Sequence, residues 1–150
     1  MRRTTTPLVL ASAVFIAAGG FIHLREWLET YRDVPSQAPG ADLVRVGFPL
    51  NAGLSLLVAL ALVATLVVAR RFQLVAVAGA MAFQAGSLAV LIGTRIGTVA
   101  GWTEPVWTMG ADQTRAVEIG ALLCLGALML VRLVDGRLTM PPEPAARAVR

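Results

Sequence analysis

Few residues in this 150-residue chain combine a reactive side chain with an apolar setting. The single histidine, His23, closes an apolar run, with Gly19 and Gly20 one helical turn before it and Glu26 and Trp27 one turn after. An imidazole above a glycine notch suits an axial haem ligand, or a His/Glu pair that handles protons or a metal. The plainer reading is an interfacial histidine hydrogen-bonded to a loop. It is favoured, because one His with one carboxylate falls short of a zinc or di-iron ligand set. Glu118 is the second candidate, since ionisable groups inside apolar spans are costly and face the interior of a bundle. Arg115, three residues earlier, shares its helix face, and Arg95 is an alternative partner. Convergence of His23, Arg95 and Glu118, with Asn51 and Gln84 lower down, makes a polar pocket for a small molecule or a proton relay. A salt bridge that fixes helix register explains Glu118 equally well. No catalytic residue, metal site or cofactor is assigned. The lone Cys124 excludes an intramolecular disulfide and a cysteine metal cage, and reads as a small packing residue.

These groups need helices to position them, and composition says of what kind. Hydrophobic residues make up 57% of the chain, charged residues 15%, and mean hydropathy is +0.72. Soluble domains run at roughly 45–50% apolar and about 25% charged. Crossing a hydrocarbon core takes about 20 apolar residues in a helix. Four runs qualify, at about 7–24, 46–69, 72–94 and 116–134, the last weakened by Glu118 and Arg132. The expectation is an all-α membrane protein, a four-helix transmembrane bundle. A cleaved signal peptide is the rival reading of the first run, which has a basic start and small residues at Ala17–Gly20. The run continues through Phe21 to Leu24 without a convincing cleavage site, so a retained helix is preferred. Residues 135–150, with Pro141, Pro142 and Pro144, read as a disordered tail.

All thirteen basic residues are Arg, which reads as the codon bias of a GC-rich genome such as an actinobacterium's. The high pI does not imply nucleic acid, because no basic stripe alternates with aromatics. Counting Arg on alternate sides of four spans sets Arg2, Arg3, Arg70, Arg71, Arg132, Arg137, Arg147 and Arg150 against Arg25, Arg32, Arg45, Arg95 and Arg115. The positive-inside rule then puts both termini in the cytoplasm of a plasma-membrane protein. The outer connections, residues 25–45 and 95–115, are long, whereas Arg70-Arg71 forms a tight inner hairpin. Specific chemistry therefore belongs on the outer side.

Helix association in lipid relies on close packing of small residues. In the third span Gly79, Ala82, Gly86, Ala89 and Gly93 recur at alternating three- and four-residue spacing, the rhythm of a left-handed pair. This stripe is read as the face where another helix, from this chain or a second copy, approaches most closely. Shorter small stripes are Ala13, Ala17 and Gly20, then Ala52, Ser55 and Ala59, then Ala116, Gly120 and Cys124. Residues 24–34 are expected to prolong the first helix along the headgroups, with Leu24, Trp27, Leu28 and Tyr31 on one face. Trp102 and Trp107, around Glu104 and Pro105, suggest a second interfacial anchor.

The stretch Gly20-Phe21-Ile22-His23-Leu24, then Trp27, Tyr31-Arg32-Asp33-Val34-Pro35 and Phe48-Pro49-Leu50-Asn51-Ala52, resembles uncharacterised small four-span actinobacterial integral membrane proteins. Glu118 matches a glutamate often found in their last span. The resemblance covers mainly residues 19–63 and implies the architecture and an outer working face, without naming a reaction. The chain is more faintly similar to DoxX-like four-helix membrane proteins, some of which associate with quinones and redox partners. Their thiol chemistry has no counterpart here, with Cys124 alone.

Three functions are compatible with these features. The first is a non-catalytic membrane subunit or scaffold that packs against itself or a larger complex through the small stripe of the third span. The second is a binding module for an apolar or redox small molecule (quinone, haem or lipid) beneath His23, using His23, Glu26, Trp27, Asn51, Gln84, Arg95 and Glu118. The third is a small oligomeric transporter or channel, which the sparse polar residues in the spans disfavour.

Overall fold

The computed structural model describes residues 2–68 and 70–138. Five α-helices run through them: α1 (Arg2–Glu26), α2 (Ala41–Arg45), α3 (Gly47–Val67), α4 (Gln73–Ile96) and α5 (Met109–Leu138). A π-helical turn, Trp27–Tyr31, prolongs α1, and a 3-10 turn, Arg70–Phe72, leads into α4. Four stretches are long and apolar enough to cross a membrane: Thr5–Tyr31, Ala41–Val67, Gln73–Ile96 and Met109–Asp135. Among the described residues, strand-like pairing is confined to one bridge between Val99 and Trp102. The fold is an all-helical bundle compatible with a multi-pass membrane protein.

Helices outlast the apolar runs that announce them. α5 starts seven residues before Ala116 because Thr108 caps it: the Ala111 N–H donates to Thr108 Oγ1 at 3.2 Å. Asp112 then sits in the first turn, where the helix dipole favours an acid. Glu118, near the start of the apolar run 116–134, is therefore nine residues into its helix, about 14 Å along the axis. α5 also continues past Asp135 to Leu138. The rest of the expected disordered tail, residues 139–150, lies outside the described residues.

The segment after α1 also departs from expectation. Its backbone widens into a π turn, with the Arg32 N–H donating to Trp27 O at 2.9 Å. The extra residue in the turn rotates the helix end about its axis. Leu24 and Leu28 stay exposed, but Tyr31 is buried and turns inward, so it is no headgroup anchor.

α1 is the central helix, with its longest interfaces to α3 and α5, while α4 packs mainly on α5 and meets α3 sparingly. Val9 and Ile16 of α1 join Leu62, Val77, Ala121, Leu125 and Leu128 in a fully buried core. Outside, Leu56, Leu57, Leu60, Val75, Leu123 and Leu130 are exposed, whereas Ser12, Ser55, Gln73, Gln84 and Glu118 are buried. Polar residues inside and apolar residues outside is the distribution suited to a lipid surround.

Close approach occurs at glycines of α1 and α5. A β-carbon on Gly20 would stand 2.7 Å from Ser55 Cβ, and one on Gly120 would stand 2.9 Å from the Phe15 ring. The notch anticipated under His23 is therefore filled by Ser55. On α4, Gly79, Ala82, Gly86 and Ala89 are exposed, and nothing lies within 4 Å of a β-carbon on Gly79 or Gly86. Gly93 meets only Val99. Among the described residues no helix covers that stripe; α4 buries Gln73, Val77, Ala80, Gln84 and Thr94 instead.

At the end near the 3-10 turn, buried Gln73 donates to Thr65 Oγ1 at 3.3 Å and accepts from Arg132 Nε. The opposite end, the loop end, carries the two long connections. There Gly40 (φ 71°) and Gly101 (φ 85°) let the two connections touch, since a β-carbon on Gly101 would stand 3.0 Å from Gly40 N.

Candidate functional site: a side-opening cavity backed by a four-helix polar cluster

Each long helix sends at least one polar side chain to a common level in the loop-end half of the bundle. Asn51 and Ser55 come from α3, four residues apart and so on one face, with Ser55 Oγ donating to Asn51 Oδ1 at 3.1 Å. Asn51 Nδ2 donates to Ser87 Oγ of α4 at 2.8 Å. Ser87 Oγ in turn donates to Glu118 Oε1 of α5 at 2.5 Å. His23 Nε2 of α1 stands 3.6 Å from the same carboxylate oxygen and 3.5 Å from Ser87 Oγ. Ser87 lies nine residues before the end of α4, about 14 Å from it along the axis and level with Glu118.

The cluster is buried and not fully satisfied. Glu118 is 2% exposed and His23 8%. Glu118 Oε2 and His23 Nδ1 are buried with no hydrogen-bond partner among the described residues. Buried polar atoms are nearly always paired, so two orphans in one cluster mark unmet hydrogen-bonding capacity.

Beside the cluster is a cavity of about 390 Å³ between α3 and α4. His23, Asn51 and Ser87 form its polar back wall, and Phe48, Phe83 and Leu91 are among its apolar sides. Leu50, Leu54, Ala82 and Val90 line it and are also exposed on the flank of the bundle, so it opens sideways. The sparse α3–α4 contact is what leaves this space. Tyr31 and Trp102 close it at the loop end. A ladder of rings runs along this side: His23 and Phe48 at 5.1 Å between centroids, Phe48 and Tyr31 at 4.6 Å, Tyr31 and Trp102 at 6.2 Å. The Tyr31 hydroxyl donates to Glu104 Oε2 at 3.3 Å, which ties the ladder to the second long connection.

Arg95 lines the loop-end side of the cavity. Its Nη1 donates to Thr94 Oγ1 at 3.3 Å, its guanidinium carbon lies 5.6 Å from the Trp107 ring centroid, and its Nε is buried without a partner.

Of the sequence-nominated residues, His23, Asn51 and Glu118 meet in the cluster and Arg95 joins the cavity above them. Arg115 pairs with Asp112 at 2.9 Å rather than with Glu118. Gln84 is buried but does not line the cavity. Glu26 lies against Gly110 at the start of α5, bonded to Arg25 at 3.1 Å, and Trp27 Nε1 donates to Arg45 O at 2.9 Å. Both hold the loop end together and neither reaches the cavity. Ser87, whose hydroxyl meets side chains from the other three long helices, was not nominated, nor were Tyr31, Phe48 and Thr94. Among the described residues no three His, Cys, Asp or Glu side chains group as metal ligands would. No family model, no curated protein and no solved structure matches the chain.

Proposed function

We propose that this chain is a multi-pass plasma-membrane protein, with both termini cytoplasmic, that binds an apolar molecule taken sideways from the bilayer into the α3–α4 cavity. The side-opening cavity carries this reading: its mouth is apolar and faces the exposed flank of the bundle, and its lining includes two residues with an unpartnered buried nitrogen, His23 Nδ1 and Arg95 Nε. Pockets that combine apolar walls with a few convergent polar groups are the usual form of small-molecule sites. The role is binding, not catalysis.

Gly86 provides the test. It lines the cavity, and a β-carbon there meets nothing within 4 Å. Gly86→Phe therefore fills the cavity without disturbing the bundle. Solvent extraction and mass spectrometry of protein purified in mild detergent should find a bound amphiphile in the wild type and at least a tenfold lower amount in Gly86→Phe. Equal amounts in both, or none in the wild type, overturn the proposal.

A second reading, self-association, rests on the uncovered stripe Gly79, Ala82, Gly86 and Ala89. Native mass measurement in detergent separates it from a strict monomer.

A further inference from the structure

We infer that the molecule bound in the cavity is an amphiphile with an anionic head, a carboxylate or phosphate monoester on an apolar chain, and that Arg95 holds the head. This rests on the binding role proposed for the cavity.

Arg95 is a permanent cation that lines the cavity. None of the ion pairs among the described residues includes it. Three other arginines of the loop end are engaged by acids: Arg25 by Glu26 and Glu29, Arg32 by Asp33, Arg115 by Asp112. Glu104, on the same side, is taken by the Tyr31 hydroxyl. What Arg95 has is one threonine hydroxyl and the face of Trp107, and its buried Nε has no acceptor. A guanidinium presents a planar fork of donors that matches the oxygens of a carboxylate or phosphate. An anion in the cavity supplies the acceptor that Nε lacks and the charge that no ion pair among the described residues provides.

The direction of the ligand is set by charge and depth. Arg95 is in the last turn of α4, at the level of the connections. Deeper in the cavity, Asn51 and Ser87 of the back wall are already bonded to each other, Ser87 is also bonded to Glu118, and neither offers a permanent cation. The cavity extends along α4 from Arg95 down to Ala82, thirteen residues or about 20 Å of helix. That length takes an apolar chain running past Leu91, Phe83 and Leu54, parallel to the lipid chains outside.

Chain-brominated ligands quench tryptophan on contact, and Trp102 lines the cavity. Protein in nanodiscs is titrated with a brominated long-chain carboxylate, a brominated lysophosphatidate and the corresponding brominated alcohol. Expected are both or either anion binding at least tenfold more tightly than the alcohol, and Arg95→Gln reducing the anions to the level of the alcohol without changing the alcohol itself. Gly86→Phe should abolish binding of all three. The tighter anion identifies the head as carboxylate or phosphate. Equal binding of anions and alcohol, insensitive to Arg95→Gln but lost in Gly86→Phe, overturns anion recognition and leaves the cavity role standing. Quenching untouched by Gly86→Phe places the ligand elsewhere and overturns both.

Discussion

Ser87 accepts from Asn51, donates to Glu118 and stands 3.5 Å from His23 Nε2, so removing one hydroxyl breaks two short bonds between helices and a third, longer contact. Interhelical hydrogen bonds in membranes average about 0.6 kcal/mol and reach about 1.7. Ser87→Ala should therefore lower unfolding free energy by about 1–2 kcal/mol. Glu118→Gln, which keeps an acceptor for Ser87, should cost under about 1 kcal/mol. Denaturant titration of the purified protein measures both, and a Ser87→Ala cost no larger than that of Glu118→Gln removes Ser87 from the centre of the cluster. His23, Asn51 and Glu118 were legible in the sequence because a charged or amide side chain inside an apolar run has to be accounted for. Ser87 was hidden as one more small residue in a span full of Gly and Ala. Gln84 attracted notice as the larger polar group, yet polarity alone does not say which polar groups share a cavity.

At the scale of the helix, α4 carries two interleaved stripes with the same three- and four-residue rhythm. Gly79, Ala82, Gly86, Ala89 and Gly93 make one; Gln73, Val77, Ala80, Gln84, Ser87, Leu91 and Thr94 make the other. They are offset by two residues, about 200° around a helix of 3.6 residues per turn. Within the chain the second is the buried one. It holds every uncharged polar residue of the span, and the cost of exposing such groups to lipid was the readable signal. Where small residues do bring helices together, it is along α1, at Gly20. There a β-carbon meets Ser55 at 2.7 Å, and overpacking typically costs about 1–3 kcal/mol. Gly20→Ala should lose stability in that range, while Gly79→Ala should be neutral or gain up to about 1 kcal/mol from helix propensity. Thermal melts of the two variants decide the matter, and a substantial loss for Gly79→Ala instead signals a second copy seated on the outer stripe. Helix ends were less legible than helix centres. The Thr108 cap that starts α5 and the π turn that turns Tyr31 inward are set by local hydrogen bonds, which hydropathy does not register.

At the scale of the molecule, the two ends of the bundle differ in how their arginines are used. The loop end has five, Arg25, Arg32, Arg45, Arg95 and Arg115, and three of them form ion pairs with nearby acids. The opposite end has Arg70 and Arg71 side by side, with Arg71 over the face of Phe72 and no acid between the helices they join. Positive charge close to short connections is what retains a segment in the cytoplasm, and acids count for little in that rule. The proposed orientation rests on this tight, basic turn outweighing the long, charge-paired connections, and with it the cavity is proposed to open into the outer leaflet. Single cysteines placed in a Cys124→Ala background test this directly. A membrane-impermeant maleimide applied to intact cells should label Thr103→Cys, an exposed position in the second long connection. Ala146→Cys, in the C-terminal tail, should react only after the membrane is permeabilised. The reverse pattern inverts the protein in the bilayer and moves the cavity mouth, with Arg95 at its edge, to the cytoplasmic leaflet.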